Sequence, residues 1–158
     1  MFRELKRKNK QLTEEECLAL LKNERRGVLS VNGEDGYPYA MPMNHFYDER
    51  DGAIYFHSGK VGYRTDALRL SDKACFCILD AGEKEEGDWA LTVKSVIVFG
   101  RVELLTDPCL IADVCARLSR KFTNDEDYIQ NEINQYAKAT LLLKLTPEHM
   151  TGKRVKES

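Results

Sequence analysis

Apolar and polar positions along the chain change period several times, and these changes divide it into short strands and a few helices. Thr13 and Glu16 have capping-box spacing, and Cys17, Leu18 and Leu21 follow at helical spacing, so a first helix opens at Thr13. Residues 28–32 read as a short strand, and Gly33-Glu34-Asp35-Gly36 is a turn by composition. The return strand, 37–47, carries Pro38 and Pro42. Proline withdraws a donor from a β ladder, so this strand lies at an edge or is bulged near its middle. A second turn, 48–52, leads to a third strand over 53–58. After Gly59 the period turns helical over 65–70, and 74–79 is then apolar on both faces, as in a central strand. An acidic hairpin tip, 82–88, precedes a long strand over 91–105 whose middle, Val96-Ile97-Val98-Phe99, predicts burial on both sides. Asp107 before Pro108 marks another helix start, with Leu110, Ile111, Val114, Leu118 and Phe122 as its apolar stripe. A helix over 126–136 and a last strand over 140–145 complete the pattern.

Six strands in hairpin succession, interrupted by helices, predict a mainly β protein with flanking helices: a small closed antiparallel barrel with the helices over its ends. Strand and helix do not alternate, which disfavours a doubly wound parallel sheet. The 158 residues suit a single domain, with a basic arm over 1–12 and a tail over 150–158.

Composition narrows the function. Lys and Arg number 24 against 26 Asp and Glu, and a net charge of −2 argues against a general nucleic-acid binder. No apolar run approaches the roughly 18 residues of a membrane span, and no apolar stretch follows the basic start as in a secretory signal. Five irregularly spaced cysteines read as reduced thiols, so a cytoplasmic protein is expected. Cys75 and Cys77 share a strand face without the further ligands that zinc needs, and no metal is expected.

Dinucleotide-fold, P-loop and nucleophile-elbow motifs are absent. Three segments could carry chemistry. Between Tyr55 and Arg64 a strand passes Gly59 and Gly62 and enters a helix, so His57, Ser58, Lys60 and Arg64 can address one concavity; glycines, a helix N-terminus and a guanidinium suit a phosphate. A surface turn explains the same residues. Met41, Pro42, Met43 and Asn44 lie where two prolines leave backbone groups without full ladder partners, which suits the edge of a flat heterocycle or, equally, a protected edge strand. Lys94, Ser95 and Val96 open a third segment, where a hydroxyl within an apolar strand needs a partner.

In this order the three segments resemble the FMN-binding split barrel of the pyridoxamine 5′-phosphate oxidase-like superfamily, and within it the nitroimidazole resistance or nitroimidazole reductase branch. The matching text runs from Arg26-Gly27-Val28-Leu29-Ser30 through Asp35-Gly36-Tyr37-Pro38-Tyr39-Ala40 with Pro42, and Ile54-Tyr55-Phe56-His57-Ser58 with Gly62. It continues to Ser95-Val96-Ile97-Val98-Phe99-Gly100 and His149-Met150-Thr151-Gly152-Lys153. The resemblance implies a six-stranded split barrel and a homodimer with FMN at the subunit interface. It places Met41 to Asn44 along the flavin ring; His57, Ser58, Tyr63 and Arg64 at the phosphate; and Lys94, Ser95 and Val96 at the ring or ribityl chain. Tyr63 departs from the His, Arg or Lys that relatives often carry there, which moves charge work to Arg64. The C-terminal substrate-binding segment of true pyridoxamine phosphate oxidases is not found.

The implied activity is FMN-dependent oxidoreduction, with electrons from NAD(P)H passing to a nitroaromatic or similar small planar substrate. No acid or base is assigned, though His57 is the candidate that could face the site. The alternative is a flavin- or haem-binding module without turnover, for which His45 or His149 could supply an iron ligand.

Overall fold

The computed structural model describes residues 1–157. Eight strands, β1 (Arg26–Asn32), β2 (Pro38–Asn44), β3 (Phe46–Asp48), β4 (Ala53–Gly59), β5 (Lys73–Leu79), β6 (Glu83–Lys84), β7 (Leu91–Leu105) and β8 (Thr140–Lys156), form one antiparallel sheet. Seven lie on a single hydrogen-bonded path, β2-β1-β5-β7-β8-β4-β3, and β6 pairs with β7 beside it. Four helices flank the sheet: α1 (Glu14–Asn23), α2 (Tyr63–Leu70), α3 (Pro108–Ser119) and α4 (Glu126–Tyr136).

The strand count exceeds the expected six for two reasons. The span predicted as one strand, 37–47, is divided at His45: Asn44 still pairs with Arg26 of β1, whereas Phe46 pairs with Tyr55 of β4. The chain therefore steps from one end of the sheet to the other within two residues. Met41, Met43 and His45 continue an unbroken inward alternation, so the side-chain pattern carries no sign of the change of partner. The two-residue β6 is the other addition. Because β2 ends the path, Pro38 and Pro42 do lie on an edge strand.

The sheet curls around one core. Leu29, Met41, Ile54, Phe76, Val98 and Leu143, from six different strands, belong to a single buried cluster, and Phe56 meets Phe76 edge-on at 4.9 Å. Truncating Phe76 to Ala would cost about 3–5 kcal/mol. The α1 helix closes one end. Thr13 and Glu16 form the predicted capping box, and Cys17, Leu20 and Leu21 turn inward. Gly152 is required beneath it, since a Cβ there would lie 2.3 Å from the Cys17 sulfur. Ala67 and Leu68 of α2 join the same core.

Three further expectations change. The middle of the long strand is buried on one side only: Val96 and Val98 turn inward, whereas Ile97 and Phe99 face outward and are partly exposed, because the second face of the sheet is largely uncovered there. Residues 150–156, predicted as a tail, continue β8 in register with β7. The last strand is thus much longer than 140–145, because its second half is polar on the exposed side and lacks apolar alternation. The α3 helix does not cover a barrel end either: Ile111 and Val114 pack on the outward residues Ala53, Tyr55 and Leu142 as a second core. Among the described residues no helix is long and apolar enough to cross a membrane.

Candidate functional site

Where the two ends of the curled sheet approach each other lies an open cleft of about 490 Å³. Its walls come from Arg26 of β1; Pro42, Met43 and Asn44 of β2; His57, Ser58 and Gly59 of β4; and Arg64 of α2. Among the described residues no carboxylate lines it, so two guanidiniums face the space without a counter-charge from these walls.

Each cation is placed by the local fold. Arg26 stands opposite Asn44 in the β1–β2 register, and its Nε donates to the Asn44 Oδ1 at 2.9 Å. Arg64 sits in the first turn of α2, which Gly62 enters at φ +131°, a conformation that side-chain-bearing residues rarely adopt. No side chain caps this helix; the Thr65 hydroxyl donates back to the Gly62 carbonyl at 2.7 Å. The first-turn N–H groups therefore add positive potential at Arg64. The Arg64 Nη1 meets the Met43 sulfur, and its buried Nε has no hydrogen-bond partner. Burial lowers the pKa of Arg64, as expected of a cation without a paired anion.

His57 opens onto the cleft, yet the protein packed around its ring, and then the Arg64 charge, lower its pKa below the ordinary value. The buried Ser58 donates its hydroxyl to the Gly59 carbonyl at 3.0 Å. An anion with several acceptor oxygens fits this donor set, and the phosphate of a flavin mononucleotide is such an anion.

Of the residues singled out from the sequence, the cleft gathers Pro42, Met43, Asn44, His57, Ser58 and Arg64. It does not gather the others. Met41 points into the core. Tyr63 turns to the 33–36 turn, where its hydroxyl accepts from the Glu34 N–H at 3.1 Å, and its ring lies against Tyr39 at 4.7 Å. Lys94 lies 3.7 Å from Glu83 and lines a different cavity. Ser95 pairs with Leu79 and Lys153 in the sheet. The Val96 side chain is wholly in the core, which leaves only its backbone to touch a ligand. Arg26 was missed as a site residue; an isolated cation at a strand start signals nothing until its partner, Asn44, is known.

Neither histidine considered for haem is presented to the cleft. His45 is fully buried, and its Nε2 lies 2.8 Å from the Leu21 carbonyl, which can only accept, so Nε2 carries the proton and the ring is held inside the core. His149 stacks on Phe2 with centroids 4.9 Å apart. Among the described residues no group of three His, Cys, Asp or Glu side chains converges as a metal site needs.

Residues 13–154 match the model of the pyridoxamine 5′-phosphate oxidase family. The chain belongs to that family. Solved structures share the fold of this family member at low identity. A conserved hypothetical protein from Mycobacterium tuberculosis is 17% identical with a TM-score of 0.81, over 95% of this chain and 90% of that one. A candidate 5-nitroimidazole antibiotic resistance protein from Bacteroides thetaiotaomicron is 18% identical with a TM-score of 0.75, over 92% and 87%. An FAD-binding protein from Mesorhizobium loti is 21% identical with a TM-score of 0.66, over 92% and 96%. No curated protein matches the chain.

Proposed function

We propose that this member of the pyridoxamine 5′-phosphate oxidase family is an FMN-dependent oxidoreductase that passes electrons from NAD(P)H to a nitroaromatic or similar small planar substrate. The observation that carries the reading is the cleft without a carboxylate, in which Arg26 and Arg64 are both unbalanced and the Arg64 Nε is buried without a partner. That donor set suits a phosphate, and the FAD-binding relative supports a flavin as its bearer. A bound flavin supplies the capacity to accept a hydride and hand electrons on.

The chain's own residues bind and orient. Arg64 and Arg26 hold the phosphate oxygens. His57 offers a donor beside them. Pro42, Met43 and Asn44 present the apolar surface and the edge polar groups against which a ring lies. Met43 also keeps water from one side of Arg64.

The proposed assembly is a homodimer that completes the flavin site. Its motive is the outer face of β1, β5 and β7: Val28, Ile97 and Phe99 are 37%, 38% and 39% exposed, Phe99 with Phe2 stacked against it, and Val28, Cys77 and Ile97 align across three strands. Contiguous exposed apolar surface of this kind marks an interface. Pro42 extends the same row to the cleft. Light scattering on FMN-loaded protein should give twice the chain mass; the monomer mass would remove the dimer from the proposal.

The activity is tested by mixing FMN-loaded protein with NADH or NADPH under nitrogen and following flavin absorbance. Bleaching with either donor, then recovery on adding a nitroaromatic, is expected. Loaded protein that neither donor bleaches would contradict an NAD(P)H-driven reductase.

A further inference from the structure

On the outer side of β4, where α3 and α4 meet, lies a second cavity of about 270 Å³. It shares one wall with the cleft: His57 lines both. Its character is otherwise opposite. The cleft holds two guanidiniums and no acid, whereas this cavity holds one carboxylate, Glu132, and no lysine or arginine.

Local structure produces the difference. The α4 helix is capped by Asp125, whose side chain accepts from the Tyr128 N–H, and it is anchored by the buried Ile129. One turn further on, Glu132 and Ile133 face the cavity together with Tyr136. The opposite wall is Leu118 and Cys115 of α3. Two other acidic side chains on these helices are paired, Glu126 with Arg120 at 2.7 Å and Asp113 with Arg50 at 3.1 Å, and Asp127 is exposed to water. Among the described residues Glu132 has no ion-pair partner within reach and no side-chain hydrogen bond, although it is only partly exposed.

We infer that this cavity is a second ligand site, which takes a single-ring amine with its ammonium group on Glu132 and its ring between Leu118 and Ile133, against His57. Size limits the ligand. A cavity of about 150 Å³ suffices for a benzene ring, so 270 Å³ holds one ring with a short side chain and not a dinucleotide. Charge sets the polarity: a partly desolvated carboxylate without a cation favours a ligand that brings one. The apolar walls reject a bare metal ion or a polyamine, which they would strip of water without recompense. The site goes beyond the flavin reading: Glu132, Leu118 and Ile133 lie outside the cleft, and His57 is the one residue the two sites share.

The test uses the full chain as purified, with its flavin content recorded separately by absorbance, and 4-fluorobenzylamine as the probe, read by fluorine NMR. A saturable shift is expected. Glu132→Gln should raise the dissociation constant about tenfold or more. Ser119→Phe, which fills the cavity from its rim, should abolish the shift, and 4-fluorobenzoate should give none. Arg64→Ala should leave the amine shift intact while weakening FMN about tenfold to a hundredfold, which separates the two sites. No saturable shift with the parent protein would overturn the proposal. So would an affinity within threefold of the parent in Glu132→Gln, equal binding of the benzoate, or loss of the amine shift in folded Arg64→Ala.

Discussion

Arg26 and Asn44 sit directly opposite each other across β1 and β2, and the Arg26 Nε donates to the Asn44 side-chain oxygen at 2.9 Å. The pair holds a guanidinium at the point where the chain leaves β2 for the far end of the sheet. Its remaining donors are left for a ligand. Arg26→Ala should therefore raise the FMN dissociation constant about tenfold to a hundredfold, as the loss of a charge-assisted bond implies. Asn44→Ala should raise it less, about threefold to tenfold, because the cation stays but loses the partner that orients it. Fluorescence titration compares the two. Equal losses, or a larger one in Asn44→Ala, would show that Arg26 does not meet the phosphate.

Arg64 and Lys60 are close in sequence but not in setting. Arg64 is half-buried in the cleft wall, whereas Lys60 is exposed and only its carbonyl is engaged, by Arg69 at 3.3 Å. Arg64→Ala should weaken FMN about tenfold to a hundredfold and leave riboflavin nearly unchanged. Lys60→Ala should stay within threefold of the parent. The reverse order, measured by the same titration, would move the phosphate from the cleft to the turn.

Most of the fold was legible because apolar spacing reports which face is buried. The Thr13–Glu16 box, the long strand Leu91–Leu105 and the helix Glu126–Tyr136 lie where the pattern predicts them. Partner choice is not encoded in that spacing. Inward alternation runs through Met41, Met43 and His45 while the chain changes neighbours, so β2 and β3 read as one strand. The candidate site divides in the same way. Glycine and cation chemistry near His57 and Arg64 is local and visible; Arg26 is brought there only by pairing across 18 residues. Tyr63 lay in the right segment, but its hydroxyl is drawn to the 33–36 turn. The cavity at Glu132 needs α4 packed on α3 beside β4, an arrangement with no periodic signature.

Buried His45 should make stability depend on pH. Burial, with the Lys121 charge adding to it, holds its pKa at about 4, against about 6.5 in an unfolded chain. Between these values the unfolded state binds a proton that the native state does not, so stability is fully present above pH 6.5 and falls as pH drops towards 4. The loss is about 3 kcal/mol over that window. His45→Gln, which keeps a donor for the Leu21 carbonyl, should flatten this part of the profile in urea unfolding at stepped pH. An unchanged slope in the variant would assign the titration elsewhere.

Cys75 and Cys77 should be dispensable for cofactor binding. Both side chains lie on the outer sheet face, and burial raises the pKa of each thiol, with the neighbouring Cys77 adding to the effect at Cys75. Neither is a thiolate at pH 7. The double replacement by Ala should keep FMN affinity within threefold and lose up to about 2 kcal/mol of stability. Loss of flavin binding in folded double variant would show that the thiols belong to the site.

The central claim is that the Arg26–Arg64 cleft is a phosphate site that holds FMN. Parallel titration of flavin-free protein with FMN and with riboflavin tests it most directly, because the two ligands share a ring and differ only in the phosphate. FMN should bind at least a hundredfold more tightly, as expected of two guanidinium contacts. Equal affinities, or no binding of either, would contradict it.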